Sequence, residues 1–319
     1  MADVPPCDPH AVRVAVLMGG ASAEREVSLM SGREVAGALR RAGFHVDEVD
    51  LAPADVDRLA RRRFDVAFIA LHGTFGEDGA LQQRLDDLGI LYVGSGARAS
   101  RDAMDKVTSK QAFVASGIPT PPWHVVPAGD AAAAQAAYDR HGPETVVKPI
   151  DEGSSIAVTL ADTREAYARG LADVFAIRDR AMVEPWVRGR ELTVGVLGTE
   201  GLPVVEIVPR QPFYNYEAKY FDDATEYVVN PALPPGVEPT VRRLAVEAHR
   251  TLGCRDFSRV DAILDARGDV HVLEVNTIPG FTTHSLLPKS ASGAGIDFPS
   301  LCRYIVELAL ARGDRGRPE

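Results

Sequence analysis

Arg259 to Asn276 reads R-V-D-A-I-L-D-A-R-G-D-V-H-V-L-E-V-N, which is two apolar runs with polar residues at alternate positions. The four residues between the runs, 266–269, include Gly268, which adopts the positive φ of a tight turn without steric cost. This pattern predicts a β-hairpin. If Asp265 pairs with Val270 across the turn, the register of the whole hairpin is fixed.

That register brings four polar side chains to one face of the hairpin, because side chains alternate between faces along a strand. Two carboxylates directly opposite each other repel, and burying them costs several kcal/mol unless a cation lies between them. Oxygen ligands suit a hard cation such as Mg²⁺, and an arginine beside them can meet an anion. The face is interpreted as a site for Mg²⁺ and phosphate, the alternative being a hairpin with its charges in solvent. Its members are Arg259, Asp261, Glu274 and Asn276.

The composition is that of a globular protein of two or three domains, with 319 residues, 45% of them hydrophobic and 25% charged. A net charge of −10 argues against nucleic acid or a membrane surface as a partner. Three widely spaced cysteines form neither a disulfide framework nor a zinc motif. The start of the chain lacks a signal-peptide pattern, and no apolar run approaches the ~18 residues of a membrane span. We therefore expect a cytoplasmic protein without a membrane segment.

Strand and helix patterns alternate in the first hundred residues. Strands are predicted at 12–18, 44–50 and 65–71, with a helix over 24–42 for which Ser22 is a plausible N-cap. This order predicts a parallel sheet with function at the carboxyl ends of its strands. The G-x-G-x-x-G fingerprint is absent, which disfavours a hydride-transfer enzyme.

Polar residues collect at those strand ends. Glu24 and Glu26 begin the predicted helix, where a carboxylate either complements the helix dipole or faces the cleft to take a cationic group. His72 ends the 65–71 strand and opens a glycine-rich loop. A lone histidine in this position is either structural or part of a ligand site.

The middle of the chain carries lysines in apolar surroundings. A predicted helix over 100–116 carries Lys106 and Lys110, and the strand T-V-V-K-P carries Lys148. A lysine there is desolvated unless it pairs with an anion. The loop 151–155, D-E-G-S-S, follows this strand and is either a simple turn or a phosphate-binding loop of backbone N–H groups and hydroxyls.

The last third of the chain supplies further polar edges beside the hairpin. The run V-E-P-W contains Glu184 and Trp186, and Glu191 begins the next strand; these are either core and rim or the walls of a purine site. The segment Pro209–Pro235 has little regular pattern, and its length predicts a functional lid. A polar loop, 277–286, directly follows Asn276.

Taken in order, these motifs resemble the ATP-grasp superfamily and, within it, the D-alanine–D-alanine ligases. The resemblance covers about residues 12–311 and rests on G-G-A-S-A-E-R-E-V-S, A-L-H-G…G-E-D-G, M-D-K…S-K, V-K-P…E-G-S-S, Y-E-A-K-Y and E-V-N-T-I-P-G-F-T. It implies an α/β fold, an ATP-grasp fold with an N-terminal Rossmann-like parallel-sheet domain. The implied division is 1–97 for substrate binding, 98–185 for the central ATP-grasp subdomain and 186–319 for the C-terminal subdomain with the metal site.

The resemblance also implies which residues bind ATP. Lysines would hold its phosphates, with Lys106 and Lys148 on the α- and β-phosphates and Lys219 on the γ-phosphate. Main chain near Glu184 and Trp186 would bind adenine, and Glu191 would bind the ribose. Glu152 and Ser155 of the glycine-serine loop complete the implied ATP site.

The metal and amino-acid sites follow from the same resemblance. Two Mg²⁺ ions, for which Mn²⁺ can substitute, would bind Asp261, Glu274 and Asn276. Glu26 would take the ammonium of the first D-alanine and form a triad with Ser154 and Tyr220 that closes the lid. Arg259 and the N–H of Gly280 would stabilise the oxyanion, and Ser285 and Leu286 would bind the second D-alanine, with His72 nearby.

The implied reaction joins two D-alanines through an acyl phosphate, with ATP as the phosphoryl donor, to supply peptidoglycan synthesis; the family suggests a homodimer. Relatives that use D-lactate carry phenylalanine where Tyr220 stands, so an amine is the expected second substrate. Two alternatives are an ATP-grasp ligase for another D-amino acid or hydroxy acid pair and a nucleotide-binding module without catalysis. The second would lack metal or phosphate ligands, and none is missing from this sequence.

Overall fold

A computed structural model describes residues 5–208 and 225–314, which form three β-sheets with helices packed against them. The first sheet is parallel, as predicted, with strand order β2-β1-β3. Val14 to Leu17 of its central strand are fully buried because both faces are covered. Tyr92 adds an isolated parallel bridge to Ala67 of β3. The elements are β1 (Arg13–Gly19), α1 (Arg25–Arg41), β2 (His45–Leu51), β3 (Val66–Ile69) and α2 (Ala80–Asp87), with 3-10 helices at Pro9–Ala11 and Pro53–Arg61.

The second sheet is antiparallel, with strand order β4-β7-β5-β6. Its apolar core lies between this sheet and two flanking helices and includes Val147, Tyr167 and Val183. The elements are α3 (Ala97–Met104), α4 (Lys106–Ala115), β4 (His124–Pro127), α5 (Ala131–His141), β5 (Thr145–Pro149), β6 (Thr159–Ala161), α6 (Arg164–Phe175) and β7 (Arg180–Pro185).

The prediction of a single helix over 100–116 is wrong, because α3 ends at Met104 and α4 begins at Lys106. Asp105 takes an extended conformation between them, with φ −78° and ψ 104°, and its side chain accepts a hydrogen bond from Thr108 N at 2.8 Å. An aspartate in this N-cap role satisfies an otherwise orphaned N–H group. The break puts Lys106 at the first position of α4, where its N–H donates to Ile150 O at 3.0 Å.

The third sheet is antiparallel, with strand order β10-β9-β8-β11-β12. The segment Pro209–Pro235 has little regular pattern in its sequence, but Glu226–Val229 forms the edge strand β10 and pairs with β9. Residues 209–224 lie outside the described residues. The elements are β8 (Gly189–Leu197), β9 (Glu200–Val208), β10 (Glu226–Val229), α7 (Val237–Thr251), β11 (Phe257–Asp265), β12 (Val270–Asn276), α8 (Leu286–Gly293) and α9 (Phe298–Asp314).

The hairpin of β11 and β12 has the predicted pairing at its functional end and a different pairing at its turn. Asp261 lies opposite Glu274 and Arg259 opposite Asn276, as expected. Near the turn, however, Leu264 rather than Asp265 pairs with Val270, and a β-bulge after Asp261 restores the register. Asp265 is instead part of the turn, where its Oδ1 accepts the N–H groups of Arg267 and Asp269 at 2.9 Å. The aspartate acts as a local cap and lengthens the loop by one residue.

One buried ion pair fastens the third sheet to the first. Asp256 Oδ2 accepts the N–H of Gly94 at 2.8 Å, and its other oxygen pairs with Arg312, which also donates to Tyr92 O at 2.6 Å. Asp256 is 7% exposed and has φ 61°. Its position therefore joins the end of the first parallel-sheet region to β11 and to the C-terminal helix.

We expect Asp256→Asn to lower the free energy of unfolding by about 2–4 kcal/mol, because Arg312 loses its buried anionic partner. Asparagine tolerates a positive φ, so the change removes charge without adding backbone strain. Chemical denaturation measures the difference. The control is Asp47→Asn, which removes an exposed pair with Arg13 and should cost no more than about 0.5 kcal/mol. Equal losses of unfolding free energy in the two variants would contradict a stabilising role for the Asp256–Arg312 ion pair.

His249 of α7 gives the fold a pH dependence of its own. It is 2% exposed and hydrogen-bonded to Ser258 on β11 at 2.7 Å. Burial, helped by the charge of Arg250, lowers the pKa of His249 to about 4. The unfolded chain binds this proton near pH 6.5, so stability is lost as pH falls from there towards 4.

The expected loss from His249 protonation is about 3 kcal/mol over that range. Denaturation at pH 7 and at pH 4.5 measures it, with His249→Gln as the comparison. The stability gap between the original protein and the variant should narrow at the lower pH. A gap that is constant with pH would mean that His249 is not held neutral.

No helix within residues 5–208 and 225–314 combines the length and the apolar character that crossing a bilayer requires.

Candidate active site

A cavity of about 470 Å³ opens where the first and third sheets meet the glycine-serine loop that follows β5. The first sheet contributes residues from the carboxyl ends of its strands, as parallel-sheet topology predicts. Ten of the residues predicted for the site lie in the cavity wall: His72, Ser154, Glu191, Arg259, Asp261, Glu274, Asn276, Gly280, Ser285 and Leu286.

The carboxylate at the start of α1 that faces this cavity is Glu24, whereas the prediction named Glu26. Glu24 is 7% exposed, and its Oε1 accepts a hydrogen bond from Ser154 Oγ at 2.5 Å. Glu26 is exposed on the outside of the helix. Two positions along a helix correspond to a rotation of about 200°, so both residues cannot face the same cavity. The predicted pairing with Ser154 is therefore present, with Glu24 in place of Glu26.

Ser22 was predicted as the N-cap of α1 but instead links this carboxylate to the neighbouring loop. The N-cap position belongs to Glu24, which makes no side-chain cap bond. Ser22 Oγ accepts the N–H of Glu24 at 3.2 Å and donates to His72 O at 2.7 Å. The start of α1 and the end of the 65–71 strand are thereby fixed against each other.

His72 is 4% exposed and has partners at both ring nitrogens. Nδ1 lies 3.1 Å from Glu77 Oε1, and Nε2 lies 3.2 Å from Ser31 Oγ. Burial raises the pKa of Glu77, although its hydrogen bond with His72 opposes the shift. Glu77 also lines the cavity and was missed in the sequence. Its place in G-E-D-G, five residues after His72, is the signal that could have identified it.

The glycine-serine loop is held in an unusual backbone conformation. Ser154 and Ser155 have φ values of 52° and 58°, a region that costs free energy for residues with a side chain. Arg178 anchors the start of the loop through ion pairs with Asp151 and Glu152. The carboxylate of Glu152 is therefore directed to Arg178, while its carbonyl oxygen accepts a hydrogen bond from Lys106 Nζ at 2.6 Å.

The predicted phosphate lysines, Lys106 and Lys148, contact different carboxylates. Lys106 Nζ lies 3.5 Å from Glu274 Oε2, which connects it directly to the hairpin. Lys148 Nζ lies 2.5 Å from Glu184 Oε2, and Lys110 Nζ lies 2.5 Å from Glu184 Oε1. No role was predicted for Lys110, although its position four residues after Lys106 on the same helix was an available signal.

Some of the groups near the predicted adenine site already have partners within the protein. The Glu184 carboxylate is taken by two lysines, and the N–H of Trp186 donates to Glu144 O at 2.9 Å. Burial alone would raise the pKa of Glu184, but the charges of Lys148 and Lys110 outweigh it and hold the pKa below its usual range. Arg188 stacks on Trp186 with its guanidinium carbon 4.0 Å from the ring centroid.

Arg259 and Asp261 form a tight pair on the functional face of the hairpin. Arg259 Nε and Nη2 donate to Asp261 Oδ1 and Oδ2 at 2.9 and 2.8 Å, and Thr193 Oγ1 also donates to Oδ1 at 2.6 Å. Such a bidentate pair fixes both groups and neutralises the buried carboxylate. Arg259 therefore meets an anion, but the anion in the structure is Asp261.

The metal prediction can be tested against the donors that the hairpin presents. Asp261, Glu274 and Asn276 offer carboxylate and amide oxygens to one cavity, which is the donor chemistry of Mg²⁺. The Glu274 side chain is 30% exposed, and Asn276 Oδ1 already accepts the N–H of Ile278 at 3.0 Å. In the part of the chain that the structure describes, no cluster of three Asp, Glu, His or Cys side chains suits a metal. Asp261, Glu274 and Asn276 together offer two carboxylates and one amide oxygen, which suits a hard cation.

The polar loop predicted over 277–286 is present up to residue 285 and leads into α8. Ser285 is the N-cap residue of this helix, and its Oγ accepts the N–H of Thr282 at 3.1 Å. A side chain at Gly280 would place Cβ 2.8 Å from Ser285 Oγ, so glycine allows the close approach of the two segments. Lys289, one turn further along α8, also lines the cavity and was not predicted.

Two predicted site residues, Lys219 and Tyr220, lie outside the described residues, and their roles stay predictions.

Comparisons with known proteins agree with the geometry. The family model described as D-ala D-ala ligase C-terminus matches residues 113–307, and the model described as D-ala D-ala ligase N-terminus matches residues 50–95. The D-alanine–D-alanine ligase of Albidiferax ferrireducens is 45% identical, over 96% of this chain and 91% of its own length. That of Alcanivorax borkumensis is also 45% identical, over 94% and 95% of the two chains.

Solved structures give the same result. The D-alanine–D-alanine ligase from Bacillus anthracis complexed with ATP superposes with a TM-score of 0.84 at 33% identity, covering 96% of this chain and 99% of that chain. The ligase from Coxiella burnetii gives a TM-score of 0.83 at 28% identity, covering 95% of each. These matches confirm the predicted ATP-grasp fold. This chain belongs to the D-alanine–D-alanine ligase family.

Proposed function

We propose that this chain is an ADP-forming ligase that uses ATP to join two D-alanines into D-alanyl-D-alanine, a precursor for peptidoglycan synthesis. One observation carries the proposal: a single cavity has the Glu24–Ser154 pair at one side and the Arg259–Asp261–Glu274 face at the other. The first arrangement suits an ammonium group, and the second suits a carboxylate that is being converted into an acyl phosphate. An amino acid of alanine size presents both groups.

The first step is transfer of the γ-phosphoryl group of ATP to the carboxylate of the first D-alanine. Glu24, held by Ser154, binds the substrate ammonium and so orients its carboxylate towards the hairpin. Lys106 and Lys148 bind phosphate oxygens, Lys106 from a position 3.5 Å from Glu274. Glu191 is proposed to bind the ribose, and Lys219 the transferred phosphoryl group.

A divalent cation is proposed to bind Asp261, Glu274 and Asn276, with two Mg²⁺ ions, or Mn²⁺, as the full complement. When bound, such ions neutralise the negative charge of the phosphates. Glu274 is positioned for this role because its carboxylate faces both the cavity and Lys106. Asp261 also has to hold Arg259 in place, and its two oxygens allow it to serve both partners.

The second step is attack by the amine of the second D-alanine on the acyl phosphate. A tetrahedral intermediate forms, the carbonyl carbon–oxygen bond to phosphate breaks, and inorganic phosphate leaves. Arg259 and the N–H of Gly280 stabilise the negative oxygen that develops. The start of α8, with Ser285 and Leu286, binds the second substrate beside His72.

The segment Pro209–Pro235 is proposed to close over the cavity and to exclude water from the acyl phosphate. Tyr220 would then join Ser154 and Glu24. We also propose the division into 1–97, 98–185 and 186–319, which is supported by one sheet falling in each part. The family context supports a cytoplasmic homodimer, and light scattering of the purified protein tests the oligomeric state.

Purified protein with ATP, Mg²⁺ and a panel of D- and L-amino acids tests this function. The expected products are ADP, phosphate and D-alanyl-D-alanine, identified by mass spectrometry. D-Lactate as second substrate should give less phosphate release than D-alanine near neutral pH. A product from another amino acid pair, or preferential use of D-lactate, would reject the proposal in favour of a different ATP-grasp ligase.

A further inference from the structure

Two lysines share one buried carboxylate on the second sheet. Glu184 on β7 contacts Lys110 of α4 through Oε1 and Lys148 of β5 through Oε2, each at 2.5 Å. The side chains of Lys110 and Glu184 are 0% and 3% exposed. Two cations against one anion leave the cluster with a net charge of +1, and burying an uncompensated charge carries a desolvation penalty.

The two lysines are held differently. Lys110 Nζ also donates to Thr120 Oγ1 at 2.6 Å and to Pro121 O at 2.9 Å, and it lies 5.6 Å from the ring centroid of Trp123. Two hydrogen bonds and the ion pair with Glu184 give the Lys110 ammonium group three oxygen neighbours, so Lys110 is fixed. Lys148 keeps 11% of its side chain exposed, and within the described ranges Glu184 is the polar partner that the structure gives it.

We propose that Lys110 is a positioning residue that keeps the Glu184 carboxylate paired while Lys148 leaves it to bind a phosphate of ATP. The inference rests on the proposed function, which supplies the phosphate. When Lys148 moves, a buried carboxylate without another cation would lose its only compensation, and that cost would oppose ATP binding. Lys110 avoids the cost of an unpaired buried carboxylate, because its three contacts keep it next to Glu184 when Lys148 moves.

The electrostatics of the cluster agree with this exchange. The pKa of Glu184 lies below its usual range, since the two lysines outweigh the effect of burial, so the carboxylate keeps its charge. The pKa of Lys110 is lowered to about 8, chiefly by burial and by the charge of Lys148, while Glu184 opposes the shift. Departure of Lys148 removes one of the charges that disfavour protonated Lys110, so the remaining pair becomes more stable.

Substitution of Lys110 tests the exchange. In Lys110→Met, Lys148 becomes the sole partner of Glu184, and we expect the KM for ATP to rise about tenfold or more. The KM for D-alanine should stay unchanged. Lys110→Gln removes the same charge but keeps an N–H donor for Thr120 and Pro121, and it serves if the methionine variant does not fold. Circular dichroism and thermal melting confirm that each variant is folded.

The double variant Lys110→Met with Glu184→Gln separates positioning from packing. With the carboxylate gone, Lys148 is no longer trapped, so the double variant should recover most of the ATP affinity that Lys110→Met loses. Independent packing roles predict the opposite, with two losses that add. A double variant that binds ATP no better than Lys110→Met would overturn the proposal, as would an equal rise in both KM values.

Calorimetric titration with ATP alone gives a readout that does not depend on turnover. If the original protein fails to make D-alanyl-D-alanine, the proposed function fails, whereas recovery of ATP affinity in the double variant would still support the exchange. If the original protein turns over normally but the double variant does not recover its ATP affinity, the proposed exchange is wrong and the proposed function still stands.

Discussion

Asp261→Asn is expected to reduce kcat by about 10³-fold while the protein stays folded. The substitution removes an oxygen charge proposed for the metal site and releases Arg259, whose two guanidinium contacts to Asp261 fix its position. Both losses fall on groups that are proposed to meet the negative charge of the transition state. Glu274→Gln should have a similar effect, since Glu274 links the hairpin to Lys106.

The control for this prediction lies in the same hairpin. Asp269→Asn makes the same chemical change in the turn, where the side chain is 63% exposed. Phosphate release and thermal melting of all three variants provide the measurements. Turnover of Asp261→Asn within a few-fold of Asp269→Asn would show that the hairpin face does not carry the chemistry.

Glu24→Gln is expected to lower kcat/KM for the first D-alanine by about 10²-fold, because a charge-assisted contact to the substrate ammonium is replaced by a neutral one. Glu26→Gln is the matched control, made two residues away on the exposed side of the same helix turn, and should stay within about threefold of the original. The two substrate sites are separated by fitting initial rates over a range of D-alanine concentrations.

This pair of variants decides between the sequence-based assignment and the structure. The motif A-E-R-E contains two glutamates, and residue type alone cannot tell which of them faces inwards. The structure selects Glu24, through its 2.5 Å contact with Ser154 and its burial. A large defect in Glu26→Gln with a mild one in Glu24→Gln would restore the original assignment.

The hairpin shows what local pattern can and cannot predict. Alternation along the two strands correctly placed Asp261 opposite Glu274, because one face had to be apolar. It missed the β-bulge after Asp261 and the turn in which the side chain of Asp265 accepts two backbone N–H groups. Local capping likewise split the predicted 100–116 helix at Asp105, an interaction that hydrophobic periodicity does not report.

Ion pairs between residues far apart in the chain could not be predicted from the sequence. Lys110 and Glu184 are 74 positions apart and meet only in the folded protein, so neither spacing nor composition signals their ion pair. The same holds for Asp256 with Arg312, which joins β11 to the C-terminal helix. Motif order was sufficient for the fold and the family, because the family resemblance extends over nearly the whole chain.

The path of the carboxylate oxygen tests the central claim most directly. D-Alanine labelled with ¹⁸O in its carboxylate is incubated with ATP and the purified protein, and the released phosphate is analysed by mass spectrometry. Activation through an acyl phosphate transfers one ¹⁸O atom from D-alanine to each phosphate released in dipeptide synthesis. Dipeptide formed together with unlabelled phosphate would contradict the account.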